Sequence, residues 1–130
     1  MQLRMIAVGM FMALGIGCSA SASADDCDAN QAAMNQCAAK ELATLDADLN
    51  KQYKAQMNYL KTPAKKQALQ EAQKKWIALR DADCAYQVGK REDSGSIWPL
   101  LQTNCLAAQT KVRVEQLKEY VACREEGCPK

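Results

Sequence analysis

The sequence predicts an all-α fold, a small antiparallel three-helix bundle stapled by disulfides. Apolar residues recur at steps of three and four along three long segments, which is the spacing of one face of an amphipathic helix. Breaks that carry proline or glycine separate these segments. The chain also holds seven cysteines and no histidine in 130 residues. A cysteine-rich small chain is typical of exported domains that disulfides hold together.

The first element is a predicted secretory signal at residues 1–24. A basic residue precedes an apolar run at residues 5–16, which is too short to span a bilayer. The tripeptide at residues 22–24 fits the small-x-small rule for signal cleavage. Cleavage leaves a single domain at residues 25–130, without a transmembrane segment, which we expect in the periplasm or outside the cell.

A second interpretation concerns Cys18. Residues 14–18 loosely resemble a bacterial lipoprotein box, in which Cys18 is acylated and anchors the protein. Gly17 suits such a box, whereas Gly15 stands where a branched apolar residue is usual, so we expect ordinary cleavage. Either route leaves six cysteines for pairing: Cys27, Cys37, Cys84, Cys105, Cys123 and Cys128.

Two long helices are predicted first. Helix one runs from about Asn30, a suitable N-cap, to Leu60. Its apolar stripe is Met34, Ala38, Leu42, Leu45, Leu49, Tyr53, Met57 and Leu60. Helix two begins with Thr62 as N-cap and Pro63 in the first helical position, and it fades near Gly89. Its stripe is Leu69, Ala72, Trp76, Leu79 and Asp83.

Residues 89–96 carry two glycines, two serines and charges of both signs, which predicts an exposed loop. Helix three starts near Ser96 and has Pro99 in its first turn. Its predicted stripe is Leu101, Cys105, Ala108, Val112, Leu117 and Val121. The tail from Cys123 to Cys128 is short enough to close on itself.

The short turn at residues 61–63 predicts that helices one and two are antiparallel neighbours. The apolar pairs facing each other are then Leu42 with Leu79, Leu45 with Trp76, Leu49 with Ala72, and Tyr53 with Leu69. Cys37 and Cys84 fall in the same register, so we favour the pairing Cys37–Cys84, Cys27–Cys105 and Cys123–Cys128. The main alternative is Cys27–Cys37 with Cys84–Cys105, and six cysteines allow fifteen pairings.

The charge of the chain is almost balanced. Removal of residues 1–24 takes away one of the 17 basic residues and leaves 16 against 15 acidic residues. This balance gives no argument for a nucleic-acid partner or for strong membrane-surface binding. The distribution is uneven, because residues 25–50 carry a net charge of −5 and residues 51–80 carry +7.

An ordered series of motifs runs through residues 46–53 and 72–84 and continues with Ser94-Gly95-Ser96. Its members are Asp46, Leu49, Asn50, Tyr53, Gln73, Trp76, Arg80, Asp81, Cys84, Cys105, Arg113 and Leu117. Over residues 27–117 this series resembles the LprI-type lysozyme inhibitor family of small exported bacterial proteins. The resemblance implies a helical fold with paired cysteines, and inhibition of lysozyme. The Cys123–Cys128 tail departs from the family pattern.

The motif residues have structural interpretations. Trp76 and Tyr53 fall on the predicted apolar face, where core packing is favoured over a role as an exposed binding anchor. Asn50 and Gln73 stand opposite each other across the predicted hairpin, which favours a hydrogen-bonded pair over a ligand site.

Enzyme chemistry has little support in the sequence. Without histidine a Ser-His-Asp triad is impossible, and without a CxxC pair the cysteines indicate no metal site. Asp81 and Asp83 are two residues apart on a helix and point to different faces. Arg80 and Asp81 are better explained as an ion pair that ties helix two to the helix of Arg113. We therefore predict a non-enzyme with no cofactor and no metal.

The loop from residue 90 to residue 96 is the candidate recognition site, because loops on a rigid scaffold commonly carry binding. Its candidate residues are Lys90, Arg91, Ser94 and Ser96. Lysozyme cleaves glycan with two carboxylates in a deep cleft. Lys90 or Arg91 is expected to pair with the ionised carboxylate, and the serines to add hydrogen bonds. A plain solvated connector is the competing interpretation.

The functional prediction is therefore an exported envelope protein that binds and blocks a lysozyme. The alternative is an envelope protein-interaction or structural module whose partner is another envelope protein and not lysozyme. A carrier of a small ligand is the third interpretation, and the sequence pattern shows no cavity that supports it.

Overall fold

The computed structural model describes residues 26–130. The expected signal at residues 1–24 and the expected fate of Cys18 lie outside these residues. The regular elements are α1 (Gln31–Tyr59), α2 (Pro63–Val88), the one-turn helix α3 (Arg91–Ser94), a 3-10 turn (Gly95–Ile97) and α4 (Trp98–Ala122). The three long helices form an all-α bundle linked by disulfides, which confirms the predicted fold class.

The ends of the long helices lie where local capping signals placed them. The side chain of Asn30 accepts a hydrogen bond from the Ala33 backbone nitrogen at 2.9 Å, and α1 begins at the next residue. Thr62 accepts from the Lys65 backbone nitrogen at 3.3 Å, ahead of Pro63. Gly89 ends α2 with a φ of 73°, a conformation that glycine adopts without steric cost. These boundaries confirm the prediction.

Helix α4 lies between the other two long helices. It packs most extensively against α1, with which it runs parallel, and it packs against α2 in the antiparallel direction. Helices α1 and α2 do not pack closely against each other. The buried core consists of Leu49, Val114 and Leu117, and four half-buried side chains pack around it: Tyr53, Leu69, Trp76 and Tyr120.

The predicted apolar pairing between α1 and α2 is therefore wrong for the residues of α2. Leu79 is 64% exposed and Ala72 is exposed, although the apolar pattern placed both against α1. The face that α2 turns inward is instead Leu69, Gln73, Trp76, Arg80 and Asp83. Polar side chains on this face form hydrogen bonds with α4. Apolar spacing does not detect such residues, so the predicted inward face differs from the observed one.

The inward face of α4 also differs from its predicted stripe. Leu101, Ala108 and Val112 are exposed, and Val112 is 69% exposed. Cys105 and Val121 are half-buried and Leu117 is fully buried, as expected. The most buried side chains of this helix are Ala107, Thr110, Arg113, Val114 and Leu117.

The favoured disulfide pairing is wrong in two of its three bridges. The pairs are Cys27–Cys37, Cys84–Cys105 and Cys123–Cys128, with Cα–Cα distances of 5.8, 5.7 and 5.7 Å. Because α2 packs on α4, the cysteine near the end of α2 meets the one near the start of α4. The segment before α1 folds back and pairs with the second turn of that helix. The alternative pairing and the predicted tail bridge are confirmed.

Polar residues tie α1 to α4 at the surface. Lys118 Nζ lies 3.1 Å from Asp48 Oδ2 and 3.0 Å from Glu115 Oε1, and Gln52 donates to Asp48 Oδ1 at 2.9 Å. The pKa of Asp48 lies below its ordinary value of 3.8. The hydrogen bond from Gln52 is the largest cause, and the hydrogen bond from Lys118 is the second. Hydrogen bonds to Glu115, as the largest cause, and to Asp48 raise the pKa of Lys118.

Of the helices in residues 26–130, none combines the length and the apolar character that crossing a membrane requires.

Replacement of Leu117 by alanine tests the central position of α4. Leu117 is fully buried in the core, so we expect Leu117→Ala to lower the free energy of unfolding by about 2–5 kcal/mol. Val112→Ala removes an apolar side chain from the exposed side of the same helix. It should change the free energy of unfolding by no more than about 0.5 kcal/mol. Urea unfolding followed by circular dichroism measures both, and equal losses would contradict the assigned face of α4.

The Asp48 cluster predicts a dependence of stability on pH. Because the folded pKa of Asp48 lies below its ordinary value of 3.8, its stabilising contribution is fully present above that value. The contribution is lost as the pH falls through the lower folded pKa. Asp48→Asn should therefore be less stable than the unmodified protein at neutral pH and should converge with it in strong acid. Urea midpoints that differ by a constant amount over this range would contradict the assignment.

Candidate functional site

The connection between α2 and α4, which the sequence predicted as an exposed loop, consists of two short helical turns. The one-turn helix α3 is closed by a hydrogen bond from the Asp93 backbone nitrogen to the Lys90 carbonyl oxygen at 3.1 Å. The 3-10 turn follows it, and Gly95 between them has a φ of 59°. A residue with a Cβ atom is strained in this conformation. We call residues 90–96 the 90–96 loop.

The base of the 90–96 loop is fixed from both sides. The Cys84–Cys105 disulfide joins the last turns of α2 to the second turn of α4, and Cys84 is completely buried. The Trp98 indole nitrogen donates to the Gly89 carbonyl oxygen at 3.0 Å and closes the loop above the disulfide. A covalent bond and a hydrogen bond thus hold the two ends of the loop together.

The candidate side chains of the 90–96 loop face solvent. Lys90, Arg91 and Ser96 are exposed, and Ser94 is half-buried. Neither cation forms an ion pair with any carboxylate of residues 26–130, although exposed Glu92 and Asp93 follow them directly. The loop therefore presents two exposed cations and one exposed hydroxyl group, and it can donate hydrogen bonds to an anionic partner.

A shallow groove of about 460 Å³ lies at the same end of the bundle, between the start of α1 and the start of α4. Its apolar side chains include Met34 and Leu100, and its carboxylates are Asp28 and Glu41. The Cys27–Cys37 disulfide forms one wall. This end of the molecule thus combines a loop with two basic and two acidic side chains, a groove with two carboxylates, and two disulfides.

The motif residues gather elsewhere, on the interface between α2 and α4. Arg80 donates to Thr110 Oγ1 at 3.3 Å and to Asp81 Oδ1 at 2.9 Å, and it lies 3.9 Å from Asp46 Oδ1. Its guanidinium group also lies 5.2 Å from the centre of the Trp76 ring. The Arg80–Asp81 ion pair therefore lies within α2, and the hydrogen bond from Arg80 to Thr110 is what joins α2 to α4. Arg80 also lies close to Asp46 of α1.

Arg113 is the buried cation of this interface, with 6% of its surface exposed. Its Nε donates to Gln73 Oε1 at 3.0 Å, and Nη1 donates to Gln116 Oε1. The Trp76 and Tyr120 rings lie 5.9 Å from its guanidinium carbon. Within residues 26–130 it contacts no carboxylate, and Nη2 has no hydrogen-bond partner. Amide oxygens and aromatic faces therefore stabilise this charge.

The structure separates the motif residues of α1 and of the middle of α2 from the candidate loop. Trp76 lies twelve residues before the end of α2 at Val88, which is about 18 Å along the helix axis. Trp76 and Tyr53 pack against the core, as predicted. Asn50 is exposed, and Gln73 is bonded to Arg113, so the expected Asn50–Gln73 pair does not form. These residues thus build the bundle, whereas the Ser94-Gly95-Ser96 part of the motif series lies in the 90–96 loop.

Sequence reasoning missed the partners of these residues on α4. Thr110 and Gln116 were absent from the predicted inward stripe, because a search for apolar spacing passes over polar residues. Thr110 and Gln116 lie three residues before and three residues after Arg113. This spacing places the three side chains near one helix face and could have indicated that they interact.

These features define a small, disulfide-linked helical protein with an exposed loop whose base is held by a disulfide. Residues 18–117 match the family model described as lysozyme inhibitor LprI, and the chain belongs to this family. Uncharacterized protein R02472 of Rhizobium meliloti (strain 1021) is 31% identical over 132 residues, which cover 88% of this chain and 94% of that protein. No solved structure matches the chain.

Removal of the Cys84–Cys105 bridge tests whether it braces the loop. The bridge spans 21 residues, and its loss in Cys84→Ala/Cys105→Ala should lower the free energy of unfolding by about 3 kcal/mol. We expect faster amide hydrogen exchange throughout residues 89–97. The matched control is Cys123→Ala/Cys128→Ala. It removes a bridge between cysteines 5 positions apart in the sequence, at the other end of the bundle. Equal loop exchange in both variants would contradict the bracing role.

Proposed function

We propose that the protein is an exported inhibitor that binds and blocks a lysozyme through the 90–96 loop. Membership of the LprI family supports the target class. The assignment of the surface rests on Lys90 and Arg91, two exposed cations that form no ion pair within residues 26–130. They lie on a loop that the Cys84–Cys105 bridge closes.

The physical mechanism is occupation of the catalytic cleft. Lysozymes use two carboxylates in a cleft, one of which is ionised. Arg91 carries a planar guanidinium group that can donate two parallel hydrogen bonds to a carboxylate, and Lys90 adds a second positive charge. Ser96 donates a further hydrogen bond at the rim. Because the loop is already held in shape, less conformational entropy is lost when it binds.

The acidic groove beside the loop supports a second contact. Asp28 and Glu41 face outward next to the apolar side chains of Met34 and Leu100. A basic side chain at the rim of the lysozyme cleft can place its aliphatic part on this apolar surface and its charge near the carboxylates. Complementary charge of this kind raises the rate of association and fixes the orientation of the partner.

The disulfides and the N-terminal sequence support export. Three disulfides are typical of an oxidising compartment, which fits the periplasm or the exterior of the cell. In this proposal residues 1–24 are a cleaved signal, and a lipid anchor at Cys18 is the alternative. The protein acts by binding, as a non-enzyme.

The alternative function is an envelope interaction module with a partner other than lysozyme. The exposed apolar side chains of α2 favour it, since Leu79 is 64% and Tyr86 is 87% exposed. Seven residues separate the two, so both lie on one side of the helix, away from the core. A partner helix could cover this surface.

A cell-wall lysis assay with several classes of lysozyme tests the proposed surface. We expect the oxidised protein to inhibit at least one class in a saturable manner. The double variant Lys90→Ala/Arg91→Ala should lose potency by about 30-fold or more, the effect of removing an interface hot spot. The matched control Lys66→Ala/Lys75→Ala removes the same charge from exposed positions of α2 and should keep its potency.

The outcomes separate the loop from the activity. Unchanged potency in Lys90→Ala/Arg91→Ala would show that another surface blocks the enzyme. Equal losses in both double variants would show that total charge, and not the loop, determines binding. Failure of the unmodified protein to inhibit every class would remove lysozyme as the target and leave the interaction module.

A further inference from the structure

A pocket of about 220 Å³ lies at the opposite end of the bundle from the 90–96 loop. It is formed where α1 ends, α2 begins and the C-terminal tail (residues 123–130) returns beside the end of α4. Its lining residues are Gln56, Leu60, Lys65, Ala68, Leu69, Tyr120 and Pro129. Nothing in the proposed inhibition of lysozyme uses this pocket.

The interior of the pocket is mainly apolar. Leu60 is 3% exposed, and Leu69 and Tyr120 are half-buried members of the shell around the core. Pro129 of the tail supplies a further apolar wall. A dry apolar cavity of about 150 Å³ accepts benzene, so a pocket of about 220 Å³ is suited to a single ring or a short alkyl chain with one small substituent.

One buried amide group opens onto this pocket. Gln56 is 2% exposed and lines the pocket, and its Oε1 accepts a hydrogen bond from Arg124 Nη1 at 3.2 Å. Its Nε2 group has no acceptor among residues 26–130. This nitrogen can therefore donate a hydrogen bond to an acceptor that a ligand brings.

Two cations flank the amide group. Lys65 lines the pocket, and Arg124 reaches its edge through the hydrogen bond to Gln56. Neither forms an ion pair with a carboxylate in the part of the chain from residue 26 to residue 130. Positive charge next to an amide donor favours a negatively charged acceptor over a neutral one.

The C-terminal tail holds the pocket in shape. The Arg124 guanidinium group lies 3.6 Å from the centre of the Tyr59 ring, and Nη1 also donates to the Tyr120 carbonyl oxygen at 3.0 Å. The Cys123–Cys128 disulfide closes the tail directly before Pro129. Residues 18–117 match the family, so Tyr120, Arg124 and Pro129 lie beyond the matched segment, and the pocket depends on residues that the family model does not cover.

We propose that this pocket is a binding site for a small apolar carboxylate, either a short-chain aliphatic acid or a simple aromatic acid. The ring or alkyl chain packs against Leu60, Leu69 and Tyr120. The carboxylate accepts a hydrogen bond from Gln56 Nε2 and lies in the field of Lys65 and Arg124.

Titration of benzoate into the oxidised protein, purified after export, tests this site. Amide chemical shifts measured by two-dimensional NMR should move in a saturable manner at the pocket residues and stay unchanged in the 90–96 loop. For a ligand with so few atoms we expect a dissociation constant on the order of 1 mM. Benzyl alcohol, which has the same ring without the charge, should bind at least about threefold more weakly.

Two surface variants keep the test independent of folding. Lys65→Gln removes a cation of the pocket at an exposed position. It should raise the dissociation constant of benzoate by about threefold to fivefold. Lys75→Gln removes a lysine from the same helix outside the pocket and should leave the dissociation constant unchanged. Shifts that do not saturate, equal binding of benzyl alcohol, or equal effects of the two variants would overturn the proposal.

Discussion

The polar and aromatic contact between α2 and α4 determines the position of the remaining elements. Gln73 bonds to Arg113, Arg80 bonds to Thr110, and the Trp76 ring lies near both guanidinium groups. Hydrogen bonds and cation–π contacts need particular partners, so this interface fixes the register of the two helices more strictly than apolar packing alone does. Helix α4 is thereby held antiparallel to α2, and its other side is left free to receive α1.

This register has consequences at both ends of the bundle. At one end it brings the cysteines of α2 and α4 together, and their bridge closes the base of the 90–96 loop. At the other end it places the tail over the turn between α1 and α2, where Arg124 reaches Gln56 and Tyr59. The 26 residues of α2 separate the two ends by about 39 Å. The proposed binding surface at the loop and the proposed ligand pocket are therefore far enough apart to be occupied at the same time.

Local features could be predicted from the sequence, and features that depend on the position of α4 could not. The ends of α1 and α2 follow from caps at Asn30, Thr62 and Gly89, which act within a few residues. The disulfide pairing and the inward face of α2 depend on which helix becomes its neighbour, and the polar residues on that face gave no apolar signal. The loop was predicted at the right place, but its two helical turns were missed. The pocket was missed because its walls come from three distant segments.

Hydrogen exchange of the oxidised protein, measured with and without an inhibited lysozyme, tests the central claim most directly. The account predicts that amide protection rises at residues 89–97 and at the start of α1, while the exposed side of α2 and the tail exchange as before. Protection centred on α2 around Leu79 and Tyr86 would contradict it, because the recognition surface would then lie on the side of the bundle and not at its braced end.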